Sequence, residues 1–483
     1  MIDRNPPVII QGGMGAGVST WRLARAVAST GQLGVVSGTG IDTILARRLQ
    51  LGDPDGALRR ALAAFPIPGV ADRILERYFI AGGKDPDAPF RKNPMPRLEP
   101  SRHLLDLYVA ANFVEVWLAK EGHDGPVGIN FLEKIQIPHL ASLYGAMLAD
   151  VDVVLMGAGI PRLIPRILDR LAAGEPVEYR IDVKGADRSE VFVTRFDPVA
   201  YGEGTLPAVR RPAFLAIISS HVLATMLARK TDGKVDGFVV EGPTAGGHNA
   251  PPRGRPERNE RGEPVYGQRD VPDLEVLVAL GLPFWLAGGY ADPEQVEDAL
   301  TVGAAGVQVG TAFAYCEESG LDEELKQRVL DLSRAGRAGV YTDAVASPTG
   351  FPFKVVPMAG TMSEADVYAS RDRICDLGYL RSAYRKEDGS VGWRCPSEPV
   401  KEYLRKGGDE AETCGRKCLC NALMANIGLG QVRRRTGTRE LPLVTSGDDV
   451  ANVARFLRPG TTTYRAADVV AHLLAGVPSV SPA

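Results

Sequence analysis

The chain has 483 residues, with 56 Lys and Arg against 59 Asp and Glu and a formal net charge of -3. That balance gives no electrostatic case for nucleic acid or an anionic membrane surface. No run approaches the ~20 apolar residues that span a bilayer, and Met1-Ile2-Asp3-Arg4-Asn5-Pro6-Pro7 lacks the charged-then-apolar layout of a secretory signal. A cytoplasmic protein with reduced thiols is the default expectation.

In chain order, Val8-Ile9-Ile10 reads as a short strand, followed by the loop Gln11-Gly12-Gly13-Met14-Gly15-Ala16-Gly17-Val18-Ser19, a helix from about Thr20 to Thr30, and a second strand at 33–36. Residues of about 60–105, rich in Pro, Arg and Asp, read as an insertion. Strands follow at 127–131 and 151–156, and residues 178–205 read as a hairpin outside the main pattern. Further strands are predicted at 214–218, 235–240, 284–287 and 306–309, with a polar loop at 251–273 that is either a lid or a solvated excursion. Each strand is largely apolar, as strands covered on both faces are. About eight such units in roughly 300 residues predict an α/β fold, a (β/α)8 TIM barrel. A doubly wound open sheet fits less well, because glycine or polar markers follow nearly every strand instead of one switch point. The barrel pattern covers residues 1–355, and a mostly helical, Cys-rich extension covers 356–483.

In such barrels the loops after the strands build the active site. Gly12 and Gly13 leave backbone open enough to lie against an aromatic ring system, with Met14 as a soft apolar contact. The loop is not a Walker loop, since Lys followed by Ser or Thr is missing. Asn130 ends its strand with an amide that donates and accepts at once, which suits a heteroaromatic ring edge. Glu241-Gly242-Pro243-Thr244-Ala245-Gly246-Gly247-His248 places an imidazole past a strand end, on backbone freed by Gly246 and Gly247. Ala287-Gly288-Gly289-Tyr290 and Val309-Gly310-Thr311-Ala312 end the last two strands, where glycine amides and a helix start commonly form a phosphate site. Ser219-Ser220 and His221 end another strand and are a weaker site candidate, while His123 and His139 have no ligand spacing.

The order of Gln11-Gly12-Gly13-Met14, Gly128-Ile129-Asn130, Ala245-Gly246-Gly247-His248, Ala287-Gly288-Gly289 and Gly303-Ala304-Ala305-Gly306-Val307-Gln308-Val309-Gly310-Thr311 resembles the nitronate monooxygenase family, which includes flavin-dependent enoyl reductases. The resemblance covers about residues 7–355. It implies an FMN-binding TIM barrel in which Gly288, Gly289, Gly310 and Thr311 hold the FMN phosphate, Met14 and Asn130 lie near the ring, and His248 is the catalytic histidine. It implies oxidation of nitronates or nitroalkanes with oxygen or, alternatively, NAD(P)H-dependent reduction of an enoyl thioester on an acyl-carrier partner. A flavin-binding interaction protein of a synthase complex is the reading from a different class, and a homo-oligomer is compatible with each. The chain departs from the family pattern in Asn249-Ala250-Pro251-Pro252, directly after His248, and in Ser347-Pro348-Thr349-Gly350-Phe351-Pro352.

The extension carries Cys375, Cys395, Cys414, Cys418 and Cys420, with Cys316 apart. Thiolates in this number bind zinc or an iron–sulfur cluster, yet the spacing matches no standard ferredoxin or zinc-ribbon pattern. A metal or cluster site, buried structural cysteines and redox-active thiols all remain open readings.

Overall fold

The computed structural model describes residues 6–477. Eight parallel strands form its centre: β1 (Ile9–Gln11), β2 (Gly34–Ser37), β3 (Val127–Leu132), β4 (Val153–Gly157), β5 (Ala213–Ile218), β6 (Gly237–Glu241), β7 (Phe284–Ala287) and β8 (Gly306–Val309). They are the eight predicted runs, and each pairs with the next in the chain apart from β1, which pairs with β8. The ring closes through Leu33, just ahead of β2: Gln11 N donates to Leu33 O at 2.9 Å and Leu33 N to Ile9 O at 3.1 Å. The result is an α/β TIM barrel whose sheet closes on itself.

Strand parity explains the apolar runs. Ile10, Leu33, Val35, Val153, Leu155, Leu215, Val239, Trp285 and Ala287 form one buried cluster inside the barrel. Their alternate neighbours, among them Ile9, Val36, Val154, Phe214, Phe238, Val240, Leu286 and Val307, pack in the layer between strands and helices. Both faces are therefore covered, so no polar alternation appears in the sequence. Trp285 is fully buried and donates its indole N–H to Pro7 O at 2.8 Å, which ties the start of the chain to the barrel interior.

Additions to the barrel lie outside this ring. Residues 57–119 supply the helices Ala57–Ala63, Val70–Tyr78 and Arg102–Ala119. Val177–Arg180 pairs antiparallel with Val193–Phe196, and Val183–Lys184 joins a small sheet with Ser382–Arg385 and Val391–Arg394 of the extension. The extension is not mostly helical as predicted: its helices are short and are joined by longer irregular stretches, because it is threaded back onto the barrel and takes its backbone partners there. Val356 N donates to Val444 O and Met362 N to Pro442 O, both at 2.9 Å, and Asp448 N donates to Thr244 O at 3.0 Å in the loop after β6. Among the described residues no helix is long and apolar enough to cross a membrane.

Candidate active site

The C-terminal ends of the strands open into a cavity of about 250 Å³. Register places its floor. Ala287 is level with Glu241 on one side and with Gln308 on the other, so three adjacent strands present inward-facing residues in one row at the rim. All three line the cavity, as does Asn130 from β3.

The loop after β1 is organised by Gln11 and Ser19. Gln11 Nε2 donates to Ser19 Oγ at 2.8 Å, and Ser19 Oγ accepts from Met14 N at 2.9 Å. Asn130 Nδ2 donates to Gly13 O at 2.9 Å. A Cβ on Gly13 would lie 2.3 Å from Asn130 Cβ, so only glycine permits this approach. Asn130 Oδ1 and Gln308 Oε1 are buried and have no partner among the described residues. Unpaired buried acceptors are uncommon and call for a donor.

His248 follows β6, and its backbone is held by the segment after Ser347: Asn249 N donates to Pro352 O at 3.0 Å and Lys354 N to Gly247 O at 2.9 Å. The imidazole packs edge-on to Phe353 with ring centroids 4.9 Å apart. Its Nε2 pairs with Ser347 Oγ at 2.7 Å, and Ser347 Oγ pairs with Thr349 Oγ1 at 2.8 Å. Nδ1 has no partner among the described residues. Enclosure pushes the His248 pKa down to about 4, so the ring is neutral at physiological pH. It is thus free to accept a proton, and the fully buried Ser347 fixes its orientation. Ser347→Ala is expected to leave a ring nitrogen unpaired at a penalty of about 1–3 kcal/mol, lowering kcat roughly tenfold with little change in fold. Steady-state kinetics beside a melting curve check this.

Glu241 presents a carboxyl to the cavity with no hydrogen-bond partner among the described residues, and burial raises its pKa to about 7. The unfolded chain releases this proton near pH 4.5, whereas the folded chain keeps it to about pH 7. Folded stability from this group is thus fully present below about pH 4.5 and is lost as pH rises through 7. Glu241→Gln is expected to match the wild-type melting temperature near pH 4.5 and to exceed it by a few degrees at pH 8. Melts at the two values test the sign.

Every residue singled out for cofactor contact by the sequence lines this one cavity: Gly12, Gly13, Met14, Asn130, Gly246, Gly247, Ala287, Gly288, Gly289, Gly310 and Thr311, together with His248. Glu241 and Gln308, which stood within sequence motifs but had no role of their own assigned, also line it, as do the tail residues Tyr379, Thr445, Ser446 and Gly447, which lay in no motif. Thr445 Oγ1 accepts from Gly247 N at 3.1 Å, and Thr311 Oγ1 accepts from Gly447 N at 3.0 Å, so the extension closes the wall beside the glycine loops. The polar loop 251–273 contributes no lining residue. It is pinned outside the cavity, with Arg253 Nη2 donating to Ser219 O at 2.9 Å and Tyr266 Oη to Ala250 O at 3.1 Å. His221 lies outside the lining as well; its Nδ1 accepts from Asp273 N at 2.9 Å. The described residues include no group of three or more His, Cys, Asp or Glu side chains converging on a single metal-ion position.

Residues 172–337 match the sequence profile of the family described as nitronate monooxygenase. The chain is 38% identical over 101 residues to a probable nitronate monooxygenase of Bacillus subtilis, covering 21% of this chain and 27% of that protein. It is 36% identical over 118 residues to the nitronate monooxygenase of Pseudomonas aeruginosa, covering 24% and 32%. The chain thus spans about a third or less of the length of these relatives. Among solved structures, FabK from Thermotoga maritima aligns over 97% of this chain and 92% of its own, at 16% identity and a TM-score of 0.48. The family profile lies across β5 to β8 and the histidine loop between them, so it is over the second half of the barrel that the chain is similar to nitronate monooxygenases.

Proposed function

We propose that the protein is an FMN-dependent oxidoreductase that oxidises alkyl nitronates or nitroalkanes with oxygen, with His248 as its proton-handling group. The observation that carries this reading is a single one: a neutral, serine-anchored imidazole borders the same glycine-lined cavity as two unpaired buried acceptors, Asn130 Oδ1 and Gln308 Oε1. Those acceptors suit the N–H and hydroxyl donors of a flavin ring and ribityl chain. Gly288, Gly289, Gly310 and Thr311 stand together at the ends of β7 and β8, where backbone amides favour a phosphate.

Bound FMN supplies the redox chemistry, taking electrons from the substrate and delivering them to oxygen. The chain's own contribution is placement and proton transfer. Nδ1 of His248 takes the α-proton of a nitroalkane, or orients a nitronate that has already lost it. Ser347 holds the ring in position from the opposite nitrogen. Phe353 and Leu380 add apolar wall that keeps water from the cavity. The visible spectrum of the purified chain, followed by oxygen uptake with propionate 3-nitronate or 2-nitropropane, tests the proposal. A colourless protein removes the flavin. A flavoprotein without oxygen uptake that consumes NAD(P)H with an enoyl thioester moves the assignment to the reductase side of the family.

A further inference from the structure

The cavity at the barrel mouth has two chemically different sides. One is built from the glycine loops and carries the unpaired acceptors Asn130 Oδ1 and Gln308 Oε1. The other is apolar. Leu132 and Ile135, at and just after the end of β3, line it together with Leu380, Leu419, Leu423 and Met424 of the extension. Three of these last four lie on the helix Leu419–Ala425. Ile135, Leu380, Leu419 and Met424 belong to one buried cluster with Phe353, and Leu132 and Leu423 pack against it while staying only half-buried. His248 stands at the border of the two sides. Its backbone continues from Gly246 and Gly247, and its ring packs edge-on to Phe353 with centroids 4.9 Å apart. With the glycine side taken by FMN, a substrate that brings its reacting carbon to Nδ1 of His248 has the apolar side open to the rest of its chain.

Charge points the same way. Among the described residues no Lys or Arg lines the cavity. Asp449 is held by Arg455 at 2.9 Å, and burial keeps Glu241 protonated up to about pH 7. Cys420 also lines the wall, and burial raises its pKa, so the thiol stays uncharged. Behind it, Cys375, Cys395, Cys418 and Cys420 enclose only about 10 Å³, and burial raises the pKa of the other three as well. The zinc or iron–sulfur centre expected from the cysteine count does not fit there, and the four thiols pack as small buried residues. An apolar wall without a cation favours burial of methylene groups and gives a charged chain no counter-ion.

We propose that the substrate carries an uncharged alkyl chain of several carbons beyond its reacting carbon, seated against Leu132 and the helix Leu419–Ala425. The inference rests on the oxidase reading of this site for the identity of the reacting group. Within that reading it selects longer alkyl nitro compounds over carboxylated ones such as propionate 3-nitronate.

The test uses the purified full chain and straight-chain primary carboxamides from butanamide to octanamide, which are neutral, planar-headed stand-ins for a nitroalkane. Calorimetric affinity should rise about two- to fourfold for each added methylene. The monoamide of octanedioic acid, which ends the same chain in a carboxylate, should bind at least about tenfold more weakly than octanamide. Leu423→Gln places a polar group of similar size in the half-buried wall and should flatten the rise. Leu404→Gln, at an exposed leucine of the extension outside the cavity, should keep it. Circular dichroism establishes that the variants are folded, and the wild-type series stands as a test without any variant. The proposal is overturned by a flat wild-type series, by equal binding of the carboxylated chain, or by an undiminished rise in folded Leu423→Gln. Oxygen uptake separates the two readings. A kcat/KM that climbs from nitroethane to 1-nitrohexane supports both, whereas preference for propionate 3-nitronate over 1-nitrohexane overturns the alkyl-chain site and leaves the oxidase standing. No uptake with any nitro compound, beside a rising carboxamide series, overturns the oxidase and retains the alkyl-chain site.

Discussion

His248→Ala is expected to lower kcat by about a hundredfold to ten-thousandfold, the range over which a positioned acid or base contributes, while flavin stays bound. The reasoning is local. Among the described residues the imidazole is the one histidine lining the cavity, it is neutral because enclosure holds its pKa down to about 4, and its Nδ1 is the ring nitrogen left unpaired. No hydrogen bond of the ring supports a glycine loop, so its removal leaves the candidate phosphate site intact. The acid limb of the rate profile should follow His248 and fall only as pH drops toward 4. Rates with nitronate as substrate should suffer less than rates with the neutral nitroalkane, since the nitronate has already lost its proton. Turnover and flavin content of the variant, measured on both substrate forms, decide the matter. Unchanged nitroalkane turnover removes His248 from the mechanism.

Gly288→Val is expected to abolish flavin retention, so that the variant purifies colourless. Gly288 sits at φ +94°, a left-handed conformation costing a side-chain-bearing residue roughly 1–2 kcal/mol. Its Cβ would also lie 2.8 Å from Thr244 Oγ1 and 3.0 Å from Ala245 N. The second contact is backbone, in the loop that carries Gly246, Gly247 and His248, so relief of the collision shifts the cavity wall itself. Gly281→Val is the control. It carries a similar left-handed strain, at φ +69°, with nothing within 4 Å of the added atom. Flavin content after acid release should be near zero for the first variant and near wild type for the second. A yellow Gly288→Val protein counts against placing the phosphate there.

The barrel was legible because every strand is buried on two faces and therefore reads as an apolar run with glycine or polar residues at its end. The same rule hid Glu241 and Gln308. In Val239-Val240-Glu241 and Val307-Gln308-Val309 a single polar residue looks like an ordinary strand terminus or interruption. Only register shows that both point inward, level with Ala287, at the cavity floor. Ser347 was visible as a departure from the family motif, but its pairing with a histidine 99 residues earlier depends on backbone contacts between 247–249 and 352–354.

The sequence by itself determined the α/β class, the eight strands, the glycine loops and the histidine among them, since each is set by local periodicity or by residue types that act on their own backbone. Tertiary structure alone decided what closes the cavity and which cysteines belong together. Residues 445–447 reach the glycine loops because the extension folds back across the barrel mouth, and Cys375 and Cys395 join Cys418 and Cys420 while the nearer Cys414 turns to solvent. Contacts of that kind join segments tens to hundreds of residues apart, and no local pattern in the chain encodes them.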